Sequence, residues 1–346
     1  FSAHRSVEEV PLRLQPLQSS LSKELVYSKN VPLVAPFRVP QSFDFDSKGN
    51  IYYSQIGRAS GFEQGKTKAH ELYIIKSTPN EPGTTSYMTL RYFGHGSQMA
   101  IEEDNGEIYV WIGSNATKYP SGEYWDSQSV SRIKFEAGKT YEGCGGDNFF
   151  LNNGVLRNYA AINKEANLIC INATDRGTRY FYTYKLSDVM AAPLKDFTFS
   201  VTVGGEELHS RKEVVERRVE GRDLSGLTPL GWFAIRPGAN KATDINSYHF
   251  QGYDIDQYGF IYFFEGAGSH IHNTGLPSQA YVTVYNHNGK IVRERTGVKA
   301  IELAEQLMQM GLTNTSGYME GEGIKIKGDK IYLQFASHME PDNRSR

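Results

Sequence analysis

Phe250-Gln-Gly-Tyr-Asp-Ile-Asp-Gln-Tyr-Gly-Phe-Ile-Tyr-Phe-Phe-Glu-Gly266 alternates apolar and polar residues, turns at an Asp-x-x-Gly and runs on through aromatics. Alternation of period two on both sides of a short glycine turn is the pattern of a β-hairpin. The phrase recurs. It stands as Ser42-Phe-Asp-Phe-Asp-Ser-Lys-Gly-Asn-Ile-Tyr-Tyr53 and as Met99-Ala-Ile-Glu-Glu-Asp-Asn-Gly-Glu-Ile-Tyr-Val110. A looser copy is Tyr159-Ala-Ala-Ile-Asn-Lys-Glu-Ala-Asn-Leu-Ile-Cys170, and a shortened one is Glu322-Gly-Ile-Lys-Ile-Lys-Gly-Asp-Lys-Ile-Tyr-Leu333. The Ile-Tyr or Leu-Ile pair after the turn falls at 51, 108, 168, 261 and 331, at intervals of about 57, 60, 93 and 70 residues. One hairpin per repeat predicts an all-β fold, a β-propeller in which each hairpin supplies the inner strand pair of a blade. Five blades are visible, with six or seven as alternatives, and the long third interval has room for an insertion or a degenerate blade. A β-sandwich also contains hairpins, but it gives no reason for one phrase to repeat.

The 346 residues are read as one propeller domain, residues 1–346. Residues 1–40 are irregular and rich in proline, and residues 24–27 are expected to close the ring as a strand of the last blade. Residues 41–94 make a first blade, with outer strands at 71–76 and 87–92. Residues 95–156 make a second, with a third strand at 129–135 and a polar aromatic loop at 115–125. Residues 157–247 hold a third, with strands at 178–185 and 197–203, and a charged stretch at 211–222 read as a solvated excursion. Residues 248–316 add strands at 281–285 and 290–293 and a helix at 300–310, with Gly311 as its stop. Residues 317–346 end the chain.

Composition narrows the function classes. A formal charge of −2 implies no strong attraction to nucleic acid or an anionic membrane. No apolar run is long enough to span a bilayer. The chain starts at Phe1, so a secreted or periplasmic product whose signal peptide has been removed is the expectation, and a monomer is the expected state. Cys144 and Cys170 leave a disulfide open, and sequons stand at Asn115, Asn172, Asn314 and Asn343. The 22 tyrosines and 12% aromatic content suit sugar stacking, and they suit an ordinary β-core at least as well.

Propeller geometry places the residues before each inner strand, and the loops after each second strand, on one rim of a central funnel. The first group gives Gln41, His95, Gln98, Arg157, Asn158, Tyr159, His249 and Gln251. The second gives Arg58, Tyr119, Tyr124, Trp125, Arg176, His272 and His338. Histidine, tyrosine and arginine around one pocket suit general acid–base chemistry. Gly94-His95-Gly96 leaves an imidazole between two flexible residues, although a turn-capping histidine reads the same way. His270-Ile-His272 has a metal-pair spacing without a third ligand, so neither metal nor cofactor is expected. Asp44, Asp46, Asp254 and Asp256 are carboxylates of a conceivable glycosidase, but their place in the turn phrase argues for bracing turns.

Pro40-Gln-Ser-Phe-Asp-Phe-Asp46, Gly94-His95-Gly96, Arg132-Ile-Lys-Phe-Glu-Ala-Gly-Lys-Thr-Tyr141 and His249-Phe-Gln-Gly-Tyr-Asp-Ile-Asp256 together resemble the β-propeller family of teichoic acid biosynthesis protein C and certain phage receptor-binding proteins. The resemblance covers roughly residues 38–335. It implies a propeller that meets anionic or cell-surface glycans. A related group, secreted lyases that cut rhamnose–glucuronate linkages, implies β-elimination on a uronate polysaccharide. In that case Arg157 would hold the carboxylate, and His95, His249 and Tyr159 would move protons. Gln41, Gln98, Asn158, Gln251, Arg58, Arg176, His272, His338 and the aromatic residues at 119, 124 and 125 would line the substrate. A glycan-binding module without catalysis and a propeller glycoside hydrolase are the other two readings.

Overall fold

Each copy of the repeated phrase folds as the two innermost strands of its own sheet, and the turn explains why the phrase repeats. Asp46 accepts hydrogen bonds from the Lys48 and Asn50 amides at 2.9 Å and from the Tyr52 hydroxyl at 3.0 Å. Asp256 does the same with the amides of Tyr258 and Phe260 and the hydroxyl of Tyr262. Gly49 and Gly259 take φ of +82° and +85°, where a side chain is strained. Aspartate, glycine and tyrosine are therefore one device that fixes the hairpin register.

The computed structural model describes residues 40–56, 71–78, 85–118, 125–151, 155–204, 212–236, 249–268, 277–302, 304–309, 311, 313, 317–339 and 344–345. The first sheet has β1 (Pro40–Phe45), β2 (Ile51–Ile56), β3 (Glu71–Ser77) and β4 (Ser86–Arg91) in chain order. The second starts with β5 (Met99–Asp104), β6 (Glu107–Lys118) and β7 (Trp125–Lys134). β8 (Thr140–Glu142) then crosses back to lie parallel to β4, and β9 (Asp147–Phe150) returns beside β7. The third sheet has β10 (Leu156–Asn163), β11 (Leu168–Asp175) and β12 (Thr178–Lys185), followed by a short helix, α1 (Leu186–Met190). A long hairpin of β13 (Leu194–Gly204) and β14 (Lys212–Asp223) comes next, and β15 (Gly231–Ile235) completes the third sheet. The fourth sheet is β16 (His249–Ile255), β17 (Ile261–Ala267), β18 (Gln279–Tyr285) and β19 (Ile291–Gly297). After α2 (Ala304–Gln309), the fifth is β20 (Met319–Lys327), β21 (Lys330–Met339) and β22 (Arg344–Ser345).

The five inner strands form a closed ring: β1 touches β5, β5 touches β10, β10 touches β16, β16 touches β20, and β20 returns to β1. The protein is thus a five-bladed β-propeller, and its core is five wedges between neighbouring blades. Leu72, Met88 and Phe93 meet Ile101, Val110 and Ile133 between blades one and two. Trp111 and Phe149 meet Ile169, Tyr182 and Tyr184 in the next wedge. Phe181 and Phe233 meet Tyr253, Phe263 and Tyr285 in the third, and Phe264 and Val282 meet Ile324 in the fourth. Phe43 and Tyr53 with Tyr332 close the ring. Most of the aromatic content is spent on these wedges. Burial of such side chains is worth about 1.5–3 kcal/mol each, so blade-to-blade packing dominates the stability.

Several expectations change. The strand at 197–203 belongs to the second blade, because the β13–β14 hairpin leaves the third chain segment and pairs through Arg222 and Asp223 with β9. Phe150 stacks on Phe197 at 4.0 Å between ring centroids and anchors it. From residue 212 the charged stretch is accordingly a paired strand, with Val219 and Gly221 buried and Glu220 between them exposed. The long third interval is an insertion. The helix expected at 300–310 is reduced to a 3-10 turn at Lys299–Ile301 and α2. Of the loop expected at 115–125, residues 115–118 continue β6 and residue 125 begins β7. Both cysteines are free thiols. Asn115 and Asn172 are 0% exposed, so neither sequon is open to a glycosyltransferase in the folded chain. Asn314, Asn343 and the expected closing strand at 24–27 lie outside the described residues; among the described ones, β22 pairs with β21 as the third strand of the last blade.

One buried ion network joins blades two and three. Glu102 accepts from Arg132 Nε at 2.7 Å, Lys164 Nζ at 2.9 Å and Trp111 Nε1 at 2.8 Å. Burial alone would raise its pKa, but these hydrogen bonds outweigh burial and hold the carboxyl at about 2. That lies below the unfolded value of about 4.3. The resulting stability is complete above the unfolded pKa and is lost as pH falls toward 2. Urea midpoints at pH 5 and pH 3 should therefore fall further in the native chain than in Glu102→Gln, and equal falls would remove Glu102 from the acid response.

Candidate functional site

The strand registers put every inner-strand start on one rim. Pro40 pairs with Gln55, Met99 with Ile112, Leu156 with Thr174, His249 with Gly266 and Met319 with Ser337. Four of the five inner strands are bulged just below that rim: at Gln41, at Arg157 and Asn158, at Gln251 and at Glu322. A bulge re-aims a side chain out of the strict alternation. Arg157 sits in its bulge with φ of +54°, a strained value for a side-chain-bearing residue.

Below the rim the channel is bridged. Gln98 Oε1, from blade two, accepts from the Tyr253 amide of blade four at 3.4 Å. Lys325 Nζ, from blade five, donates to the Met99 carbonyl of blade two at 2.5 Å. Gly252 makes room for the first crossing: at φ +127°, a Cβ there would stand 3.2 Å from Gln98 Oε1 and 3.7 Å from the Cα of Gly323. Side chains from non-adjacent blades therefore cross the axis.

One group on the rim is cationic. Arg157 Nε donates to Asp126 Oδ1 at 3.0 Å while its side chain stays half exposed. The guanidinium of Arg179 lies 4.4 Å from the centroid of the Phe250 ring. Burial, and then repulsion from Arg157, lowers the pKa of Arg179 to about 10. Two guanidiniums thus share one neighbourhood in which Asp126 pairs with one of them. Tyr159 is buried beside them and hydrogen-bonds Ser97, and burial raises its phenol so that it keeps its proton at neutral pH. A second group on this rim is acidic. Gln251 Nε2 donates to Glu320 Oε1 at 3.3 Å, the Tyr318 hydroxyl donates to Glu320 Oε2, and Glu322 is buried next to Glu320. Chemically, the first group suits an anion and the second suits hydroxyls.

Of the predicted residues, Arg157 and Tyr159 come together, Gln98 crosses the axis and Gln251 reaches the acidic group. Asn158 is drawn into structure. Its Nδ2 donates to the Ser127 and Val155 carbonyls, and its carbonyl accepts from Ser127 Oγ. Gln41 is buried at its bulge. His95 is half-buried between Gly94 and Gly96, and the Gly96 carbonyl accepts from Ser42 and Ser54 of blade one. Gly96 is required there, since a Cβ would meet Leu72 at 2.7 Å. His249 and Arg176 are exposed on the rim, Arg176 in the turn between β11 and β12. Arg58, Tyr119, Tyr124 and His272 lie outside the described residues, as do the side chains of Trp125 and His338, whose backbones belong to β7 and β21. Asp46 and Asp256 brace turns as expected. Asp44 and Asp254 instead join blades, accepting from the amides of Ile101 and Ile326 at 2.7 Å.

Sequence reasoning missed Asp126, Arg179 and Glu322. The first two are the second residues of β7 and β12, third strands that also begin on this rim. Scanning third-strand starts would have found them.

The fold and rim define a class, a five-bladed propeller with side chains crossing its axis and a polar, partly cationic mouth. Residues 39–121, which contain the first four strands of blade one and the start of blade two, match the family of the phage 5-bladed β-propeller receptor-binding platform domain. The chain is also 33% identical over 110 residues to "Putative major teichoic acid biosynthesis protein C" of Bacillus subtilis strain 168, a stretch that is 32% of this chain and 23% of that protein. The chain thus carries a propeller of this kind, and it spans about a quarter of the length of the relative it matches.

Asn158→Ala should cost about 1–3 kcal/mol, because it leaves the Ser127 and Val155 carbonyls without their donor. Arg157→Lys, which keeps a cation beside the buried Asp126 carboxylate, should leave the melting temperature near that of the native chain. Thermal melts of both variants check the division between a structural and a ligand-facing rim residue.

Proposed function

We propose that this propeller recognises an acidic, cell-surface or polymeric glycan at the funnel mouth, and that it cleaves a uronate linkage there by β-elimination. What carries the reading is the Arg157–Arg179 pair, two guanidiniums with Asp126 bound to one of them and a protonated phenol beside them. A sugar carboxylate between the two arginines relieves their repulsion and gains charge-assisted hydrogen bonds. The names of the relatives, receptor binding in one and teichoic acid biosynthesis in the other, support the choice of an anionic glycan.

Neutralising the carboxylate makes the C5 proton acidic. A base takes that proton, and His95 and His249 are the candidates on the rim. The electron pair forms the C4=C5 bond and the C4–O4 bond breaks. O4 takes its proton from the Tyr159 hydroxyl, which burial keeps protonated. Glycan binding without cleavage is the second reading, favoured by the receptor-binding description of the matching family.

Incubation with a panel of uronate polysaccharides, followed at the unsaturated-uronate absorbance band, tests the chemistry. Tyr159→Phe and His95→Ala should each lower turnover by about 10²–10⁴-fold in folded protein. Arg179→Ala should weaken glycan binding by about tenfold or more. Tight binding with no absorbance change assigns the chain to the second reading, and wild-type affinity in Arg179→Ala removes the arginine pair from both.

A further inference from the structure

A straight row of three side chains crosses blade four near its rim. Phe250 of β16 pairs with Glu265 of β17, and Glu265 pairs with Tyr281 of β18. Directly paired residues share a face of the sheet, so the three side chains lie side by side. The two rings each carry a guanidinium. Arg179, from blade three, lies with its Cζ 4.4 Å from the centroid of the Phe250 ring, and Arg295 of β19 lies 3.9 Å from that of Tyr281. The carboxyl between the rings is committed to one of them. Glu265 Oε1 stands 3.1 Å from Arg295 Nε, and Glu265 is buried.

Arg179 is held differently from the arginines near it. Arg157 is tied to Asp126 and Arg295 to Glu265. Arg179 has no hydrogen bond or ion pair among the described residues, and what it touches is a neutral ring. That ring is itself fixed. Phe250 packs on Phe263 at 4.8 Å between centroids and edge-on to Phe181 at 6.2 Å, and Phe181 follows Arg179 by two residues on β12. An aromatic face attracts a cation through its quadrupole. The contact places the charge and spends none of the N–H donors of the guanidinium. Arg179 is also half-buried, where such an attraction is stronger than in open water.

We infer that Phe250 is the positioning residue of the arginine site: its ring holds Arg179 with the N–H donors unspent, ready for the carboxylate of an acidic sugar. This rests on the glycan reading above and divides the labour within it. Arg157 brings a charge already shared with Asp126, and Arg179 brings the open fork. Glu265 completes the arrangement from the middle of the row. Its bond to Arg295 keeps a neighbouring carboxyl off Arg179. The fork belongs to blade three and its seat to blade four, so the site is whole only when the wedge between those blades is closed.

Calorimetric titration of the full chain with glucuronic acid, and with glucose as the uncharged control, tests it. Phe250→Met and Phe250→Leu, which remove the ring, should each weaken glucuronic acid binding by about fivefold or more. Phe250→Tyr, which keeps the ring, should stay within about twofold of the native chain. In an Arg179→Ala background, Phe250→Met should cost nothing further, because a positioning residue acts only through the residue it positions. NMR of the native chain needs no variant to fold: the Arg179 side-chain protons should carry an upfield ring-current shift, and glucuronic acid should move the Arg179 Nε–H signal while that shift persists. Native affinity in both ring-less variants, an equal loss with and without Arg179, or the absence of the ring-current shift overturns the positioning role and leaves the glycan reading standing. A native chain that binds glucuronic acid no more tightly than glucose overturns the glycan reading and this inference with it.

Discussion

An inner strand is the edge of its sheet, and in a ring of sheets every such edge points at the same axis. Its outward amides and carbonyls are buried there without a neighbouring strand to pair with. Polar side chains satisfy them from other blades: Asp44 takes the Ile101 amide, Asp254 the Ile326 amide, Gln98 the Tyr253 amide, and Lys325 the Met99 carbonyl. Each aspartate is then itself a buried charge. Lys327 Nζ stands 2.7 Å from Asp44 Oδ1 and, with Lys325, lowers the pKa of Asp44 against its burial. Asp254 is less well compensated, and burial carries its pKa up to about 6 despite both lysines. The alternation that first suggests a hairpin thus has polar positions of two kinds: some look outward to water, and others, such as Asp44 and Asp254, are buried toward the axis.

That constraint also divides the polar side chains of the inner strands. Side chains from non-adjacent blades cross the axis, so the groups that make those crossings serve the structure. The bulges just under the rim mark the division. Below them, the inner strands follow strict alternation and staple blade to blade. At them, Asn158 still serves the scaffold, whereas Arg157 one residue earlier is half exposed and held in a strained backbone conformation. Strain of this kind persists where the surroundings over-determine it, here through the Asp126 carboxylate and the Asn158 side chain on either side of the same turn of chain.

The blades were legible because their signal is local. Period-two alternation, an aspartate that accepts from its own turn, and a tyrosine that reaches back to it all lie within a dozen residues of sequence. The rim was legible in part for the same reason, since once the hairpins are placed, their ends follow. What was not legible depends on contacts between segments far apart in the chain. Nothing near Leu194 says that β13 and β14 will pair beside β9, because that pairing is settled by Phe150 stacking on Phe197 and by two residues of parallel ladder. Arg179 reads as an ordinary strand residue until Phe250, on the next blade, is seen beneath it. Glu322 reads as a polar alternate until the glycines on either side and the bulge bury it.

The borrowed hairpin also sets a timetable. Blade two begins at Met99, but its outermost strands come from residues 194–223, after three strands of blade three have been made. β8 likewise returns to the outer edge of blade one only after the first three strands of blade two. As the chain leaves the ribosome, each of the first two blades waits with an open edge for material from the next. The first three blades are therefore laced together in the order of translation: blade one is complete once β8 emerges, and blades two and three finish almost at once, when β14 and β15 emerge. The last two blades take no strand from elsewhere among the described residues, so they can assemble independently and then close the ring against β1.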